Sequence, residues 1–291
     1  MIDIFLAMGS SVSIVLDTPT VAPGQLIRGN ISMKTKEPVT GIDLYLTCIE
    51  SYYEQENETH YTSKKVESIA GIEVPVLIGT HSVGDIFVVP FQLEVPHDAE
   101  ASEKLRWQLV NFAKHVYKLK AWCRTQGKTV SASVPITITS LPIPTYPINL
   151  DDISGIGGGC CRGKGKVEGV LKGPNGSFTT GSRACFNLAL KIEGFTPKKI
   201  KVELANEAVC LRKAFYGTDT YYVQSTSHYK QSLNPSKVDL SMIPIDIDIP
   251  TDLPRQAHGK VVTFEFNIKV TVKKGIFNKA VLRFPIDISG H

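Results

Sequence analysis

The sequence predicts an all-β protein of two antiparallel β-sandwiches in tandem, and three observations carry that expectation. Apolar and polar residues alternate with a period of two, as in Ile42-Asp-Leu44-Tyr-Leu46-Thr-Cys48, which puts Ile42, Leu44, Leu46 and Cys48 on one face. Turn signals built from Pro and Gly recur roughly every ten residues, and no helical period interrupts them. Finally, the landmarks of the first half return in the same order in the second. Gly24 and Gly181 lie 157 residues apart, Pro90 and Pro244 lie 154 apart, and Pro135 and Pro285 lie 150 apart. So slow a drift is what changes in loop length leave behind after a duplication.

The elements follow in order. Val12–Leu16 opens as a strand, Pro23-Gly24-Gln25 turns it, and Leu26–Met33 alternates again. After Pro38-Val-Thr-Gly41 comes the strand ending at Cys48, then Glu50–Lys65, a polar run with three tyrosines and four glutamates that predicts an exposed loop or extended hairpin. Ile69–Ile78 and Gly84–Val89 return to strand, and Pro90-Phe-Gln-Leu-Glu-Val-Pro96 predicts an edge strand, because proline cannot donate to a ladder. His97–Lys104 predicts one helical turn. Leu105–Phe112, His115–Cys123 and Ser131–Thr139 close the first unit as strands, and the second repeats the scheme from Gly176 to Ile288. Each unit is expected to be an immunoglobulin-like sandwich of about seven strands.

Between the units, LPIPTYPINLDDISGIGGGCCRGKGK (Leu141–Lys166) breaks the alternation with Pro, then Gly, a Cys pair and a basic run. The expected organisation is a sandwich over residues 1–142, a linker over 143–160 with Ile153–Gly159 as its flexible part, and a second sandwich over 161–291. Each sandwich has the size of one domain.

Composition narrows function. Hydrophobic residues make up 42% and charged residues 21% of the 291, which excludes disorder and coiled coil. Lys and Arg total 32 against 28 Asp and Glu, and a net charge of +4 predicts no nucleic-acid partner. The first residues lack a cationic start and carry Asp3, which predicts no secretory signal, and no run of about 18 apolar residues predicts a membrane span. The six cysteines point to a reducing, cytoplasmic setting. Cys48 and Cys123, on strand-like runs, are expected as buried free thiols, with an inter-sheet disulfide as the alternative.

These residues resemble the arrestin-like family, whose members consist of two such sandwiches. The resemblance spans nearly the whole chain. It is carried by Pro23-Gly-Gln with Arg28-Gly29, Leu44-Tyr-Leu-Thr-Cys-Ile49, Val89-Pro-Phe-x-Leu-x-Val-Pro96, Tyr117-Lys-Leu-Lys-Ala121, and Cys160-Cys161-x-Gly163 followed by Gly165-Lys-Val. The last looks like the start of the second domain in α-arrestins. The resemblance implies the arrestin fold and a non-enzymatic cytoplasmic adaptor, peripherally associated with endosomes or the plasma membrane, that binds transmembrane cargo and links it to sorting or ubiquitylation machinery. A related possibility is an arrestin-like subunit of a retromer- or retriever-type endosomal complex. The ligase-binding Pro-Pro-x-Tyr of α-arrestins is missing, since Ile143-Pro-Thr-Tyr146 lacks the first proline. The lysine pair that senses phosphate in visual and β-arrestins has no counterpart in Val12–Leu16, and their buried charge cluster does not assemble from this sequence.

Candidate sites are few. By position, the polar run corresponds to the crest loop of arrestins; Tyr52, Tyr53 and Tyr61 are candidate partner contacts, or else ride on an acidic solvated hairpin. Lys198, Lys199 and Lys201, and Arg162, Lys164 and Lys166, form basic patches for acidic lipid or phosphate and peripheral membrane contact, or are the wet faces of strands. Cys160 and Cys161 lack the two-residue gap of a zinc pair and are expected as small residues of a tight connection rather than a metal or palmitoylation site. No phosphate loop, His-Glu-x-x-His or Gly-x-Ser-x-Gly occurs, so neither catalysis nor a cofactor is expected. The competing class is an extracellular adhesion sandwich, which predicts a Cys48 to Cys123 disulfide and a glycan at Asn57.

Overall fold

Period-two alternation becomes strand throughout the computed structural model, which describes residues 10–35, 37–75, 86–106, 111–141, 144–156, 165–214, 217–275 and 278–289. Among these the one helical element is a single 3-10 turn, Pro235–Lys237, capped by the Asn234 side chain, which accepts from Ser236 N at 3.0 Å. The chain divides into two units, Met1–Tyr53 with Thr62–Thr139, and Glu54–Tyr61 with Ser140–His291.

In the first unit, strands β1 (Ser11–Leu16), β3 (Leu26–Lys34) and β6 (Ile86–Glu94) make one antiparallel sheet, with β6 and its Pro90 at an edge as expected. The second sheet runs β2 (Thr20–Val21), β9 (Thr129–Ile138), β8 (Phe112–Thr125), β4 (Val39–Glu56) and β5 (Thr59–Val74), with β7 (Glu103–Arg106) also paired to β8. Ile27, Ile31, Leu44, Leu46 and Leu119 fill the core.

The second unit repeats this plan. Its larger sheet runs β12 (Ser177–Thr179), β19 (Lys279–Ser289), β18 (Val262–Lys273), β14 (Lys199–Arg212) and β15 (Thr220–Leu233), with β17 (Ala257–His258) on β18. Its smaller sheet runs β10 (Ile148–Ile156), β11 (Gly165–Gly173), β13 (Arg183–Glu193) and β16 (Ile243–Asp248). The core cluster includes Leu188, Leu204, Phe266, Ile268 and Phe284.

The repeat holds at the level of single hydrogen bonds. Gly24 and Gly181 take φ of 75° and 80°, the left-handed region that favours glycine. Gly24 N donates to Val95 O at 3.0 Å, and Gly181 N to Ile249 O at 2.9 Å. Pro90 faces Asn30 and Pro244 faces Asn187; Pro135 faces Lys118 and Pro285 faces Asn267.

Several expectations need correction. The sandwiches are not wholly antiparallel, because β2 pairs parallel to β9 and β12 parallel to β19. Nine and ten strands are seen among the described residues rather than seven, since short pairings escape a pattern-based reading. His97 and Asp98 form a turn closed by Ala99 N to Pro96 O at 3.1 Å, not a helical turn, and strand β7 begins at Glu103. Within the expected linker, 143–160, residues 148–156 form β10, which pairs with β11 from Ile148↔Gly173 to Ile156↔Gly165. Asp152 and Ser154 on β10 also accept from the backbone N–H groups of Arg283 and Val281, at 2.7 and 3.1 Å. Ile153–Ile156, expected as flexible, are thus strand; Gly157–Gly159, Cys160 and Cys161 lie outside the described residues.

Cys48 and Cys123 are free and buried. They stand on adjacent strands of one sheet, opposite Tyr117 and Ile42, so six residues of ladder separate them. That is about 20 Å, against the Cα separation of about 7 Å that a disulfide tolerates.

Gly29, in the motif that carried the resemblance, has a steric reason. A Cβ there would lie 2.2 Å from the Val15 carbonyl oxygen and 3.1 Å from Leu16 Cα, both backbone atoms of the neighbouring strand. Gly29→Ala is expected to cost the first unit about 1–3 kcal/mol, read as a lower urea midpoint; an unchanged midpoint would refute the clash.

Candidate functional site

Among the described residues, a concentration of basic side chains lies on the solvent face of the larger sheet of the second unit. There a groove of about 800 Å³ is lined by Lys201, Lys230, Lys269, Lys273, Lys279 and Arg283, with Glu203 as the one acid among the described lining residues. Strand pairing gathers them. Lys199 on β14 stands opposite Lys273 on β18, which stands opposite Lys279 on β19, so three lysines form a row across three strands. Like charges directly opposite are destabilising. One row over from the end of the groove, Lys230, Glu203, Lys269 and Arg283 are consecutive neighbours across four strands.

Acids anchor part of this face. Glu207, 1% exposed, accepts from Arg283 Nε at 3.0 Å, Lys269 Nζ at 3.5 Å and Asn267 Nδ2 at 3.4 Å. Glu203 pairs with Lys201 at 2.8 Å. Burial alone would raise the Glu203 carboxyl, but Lys201, Ser227 and Lys269 outweigh it and hold the group below the usual carboxylate range. Lys201 and Lys269 are therefore partly neutralised, whereas the Lys199, Lys273 and Lys279 row has no carboxylate within it. Ser225, Ser227 and Thr271 add hydroxyls to the groove. Such a surface offers charge and hydroxyl donors of the kind a polyanion requires, at a cost in self-repulsion.

Of the expected basic residues, Lys201 lines the groove and Lys199 belongs to the row beside it, while Lys198 does not line it. Lys166 lies on β11, in the other sheet, and is paired with Glu168 at 2.5 Å. Arg162 and Lys164 lie outside the described residues. Lys230, Lys269, Lys273, Lys279 and Arg283 were missed, because each alone resembles the ordinary wet side of a strand.

The tyrosine expectation changes too. Glu50–Lys65 is an extended hairpin, with Asn57 at its turn in the left-handed region (φ 54°). It is not uniformly exposed: Glu50, Ser51, Glu54 and Ser63 are buried. Tyr52 is 0% exposed, so its assignment as a surface contact is withdrawn. Tyr53, on the opposite face of β4, stacks on Phe112 with centroids 6.0 Å apart. Within the second unit, the Arg212 guanidinium lies 3.7 Å from the Tyr61 ring centroid and 4.8 Å from that of Tyr222. It also donates to Glu54, at 3.1 Å through Nε, and to Glu56 at 3.4 Å. An ion pair spanning 158 residues explains how a glutamate in this run is buried.

Burial pushes the Cys48, Cys123 and Cys210 thiols up to about 12, 11 and 12, which keeps them protonated near neutral pH when nothing is bound to them. His228 is the extra residue of a bulge where the β14–β15 register shifts between Leu204 and Ala205. Its Nε2 is buried without a partner, and burial lowers its pKa below 6.5, against a smaller opposing pull from Asp252. The unfolded chain therefore takes up the proton more readily. Stability of the second unit is expected to be full above pH 6.5 and to fall as pH drops below it toward the lowered value. His228→Phe should flatten that part of a stability-versus-pH curve; an unflattened curve would assign the loss elsewhere.

The fold is that of tandem β-sandwiches of the arrestin type. Residues 9–143 match the family model described as Arrestin (or S-antigen), C-terminal domain. The match covers just under half of the chain and coincides with the first unit, and it supports the arrestin family broadly. A C-terminal-domain model matching a first unit accords with the internal duplication. No curated protein matches the chain. Among the described residues, no helix is long and apolar enough to cross a membrane.

Proposed function

We propose that the chain is a non-enzymatic adaptor in membrane-protein trafficking, recruited to endosomes or the plasma membrane by acidic lipid headgroups held in the groove of its second unit. Other surfaces contact transmembrane cargo or the sorting and ubiquitylation machinery. The observation that carries this reading is the cross-strand row of Lys199, Lys273 and Lys279 beside four further cations and one acid. Arrestins are generally non-enzymatic adaptors, and the family match to residues 9–143 supports that class here. The free, buried Cys48 and Cys123 favour a reducing compartment over the extracellular adhesion reading.

Co-sedimentation with phosphatidylcholine vesicles, with and without phosphatidylinositol phosphates, tests the membrane half of the proposal. Binding should require the anionic lipid and weaken as salt rises; equal binding to neutral vesicles would end it. Affinity purification from the native cell tests the other half. Diverse membrane cargo and ligases would mark an α-arrestin-type adaptor, a single stoichiometric helical-repeat partner would mark a retromer-type subunit, and the absence of any endosomal or membrane-protein partner would refute the adaptor reading.

A further inference from the structure

Strands β4 and β8 bring four unlike donors to one place in the first unit. Cys48 stands opposite Tyr117 and Glu50 opposite His115. Residues two apart on a strand share a face, so the four side chains form a square on one face of one ladder. All are buried, at 7, 6, 3 and 3% exposure for Cys48, Glu50, His115 and Tyr117.

Cys48 Sγ lies 3.5 Å from His115 Nε2. With a carboxylate oxygen of Glu50, these make three ligand atoms that all lie within 4.8 Å of one another. Tyr117 Oη is 2.9 Å from the same His115 nitrogen and donates to the Glu100 carbonyl at 2.8 Å. A tetrahedral zinc holding one thiolate and one imidazole at ordinary bond lengths keeps sulfur and nitrogen about 3.6 Å apart. Two heteroatoms thus crowd Nε2, while His115 Nδ1 is buried with no hydrogen-bond partner.

The second unit shows that the fold does not require this cluster. Pro135 opposite Lys118 and Pro285 opposite Asn267 fix the equivalence of the two ladders. On that alignment the four positions become Asn206, Ala208, Phe264 and Phe266, with Asn206 opposite Phe266 and Ala208 opposite Phe264. One copy of the sandwich fills the place with mainly apolar bulk, and the other keeps a thiol, a carboxyl, an imidazole and a phenol there. Burying such groups is costly unless hydrogen bonds or a bound ion compensate them.

We propose that Cys48, Glu50 and His115 form a binding site for a borderline-soft divalent ion of the zinc type, with the Tyr117 ring packed edge-on against the His115 ring, centroids 5.4 Å apart. Thiol, imidazole and carboxylate together suit zinc or cobalt rather than calcium or magnesium. On binding, the Cys48 S–H bond breaks, a sulfur–metal bond forms, and the proton passes to solvent; nothing is oxidised or reduced. Burial of all the donors leaves no open face for a substrate, and a tetrahedral ion held by these three would take its fourth ligand from outside the set.

The test titrates the full chain with cobalt(II) as the probe, after chelator treatment, in a background in which Cys160, Cys161 and Cys185 are each replaced by Ser. The expected result is a stoichiometric thiolate-to-cobalt charge-transfer band, displaced by zinc and accompanied by proton release. Cys48→Ser should abolish the band. Glu50→Gln and His115→Gln should each weaken cobalt binding by more than the ~10-fold that loss of an outer partner costs. Circular dichroism establishes folding for each variant, and if Cys48→Ser does not fold, the other two decide. No band in the background protein, a band that survives Cys48→Ser, or affinities unchanged by both Glu50→Gln and His115→Gln would overturn the proposal.

Discussion

Replacing Lys201, Lys273 and Lys279 together with Gln is expected to weaken binding to phosphoinositide vesicles by about 100-fold, since each basic residue near an anionic surface contributes about 1 kcal/mol. The three line one groove. Lys273 and Lys279 repel each other across the ladder, which offsets the loss of the Lys201–Glu203 ion pair, so folding stability should change little. Replacing Lys118 and Lys128 of the first unit removes charge without touching the groove and should leave vesicle binding nearly intact. Equal losses in both variants would mean that net charge alone governs membrane attraction.

Glu207→Ala should move two properties in opposite directions. The carboxylate is buried and joins Arg283, Lys269 and Asn267, so its removal leaves three donors short of an acceptor. Breaking a fully buried ion pair costs about 3–5 kcal/mol. Because the Lys269 and Arg283 side chains are 21% and 45% exposed, they recover some hydration, and a loss of about 2–3 kcal/mol in the second unit is expected. The same change frees two cations toward the groove, so affinity for anionic vesicles should rise. Chemical denaturation and co-sedimentation on one preparation read both effects; loss of stability together with loss of binding would show that Glu207 builds the groove rather than tempering it.

The architecture was legible because it rests on features that sequence displays directly. Alternation fixes which side of a strand is buried, as at Ile42, Leu44 and Leu46, and the Gly24 and Gly181 turns announce the repeat through a conformation that few other residues adopt. The groove was not legible. Lys199, Lys273 and Lys279 are far apart in sequence and meet only through the β14–β18 and β18–β19 pairings, so Lys199 and Lys201 could be singled out by local density but not their neighbours. Tyr52 was misjudged for the complementary reason. Its polar surroundings suggested exposure, while burial in that stretch depends on partners such as Arg212 for Glu54.

Strand β10 carries a practical consequence. A second-unit fragment beginning at residue 161 would lack Ile148–Ile156 and leave one side of β11 without its partner, a row of open N–H and C=O groups beside Val167 and Leu171. Exposed ladder edges of this kind recruit strands from other molecules. Such a fragment should self-associate, whereas one beginning at Ser140 brings its own cover.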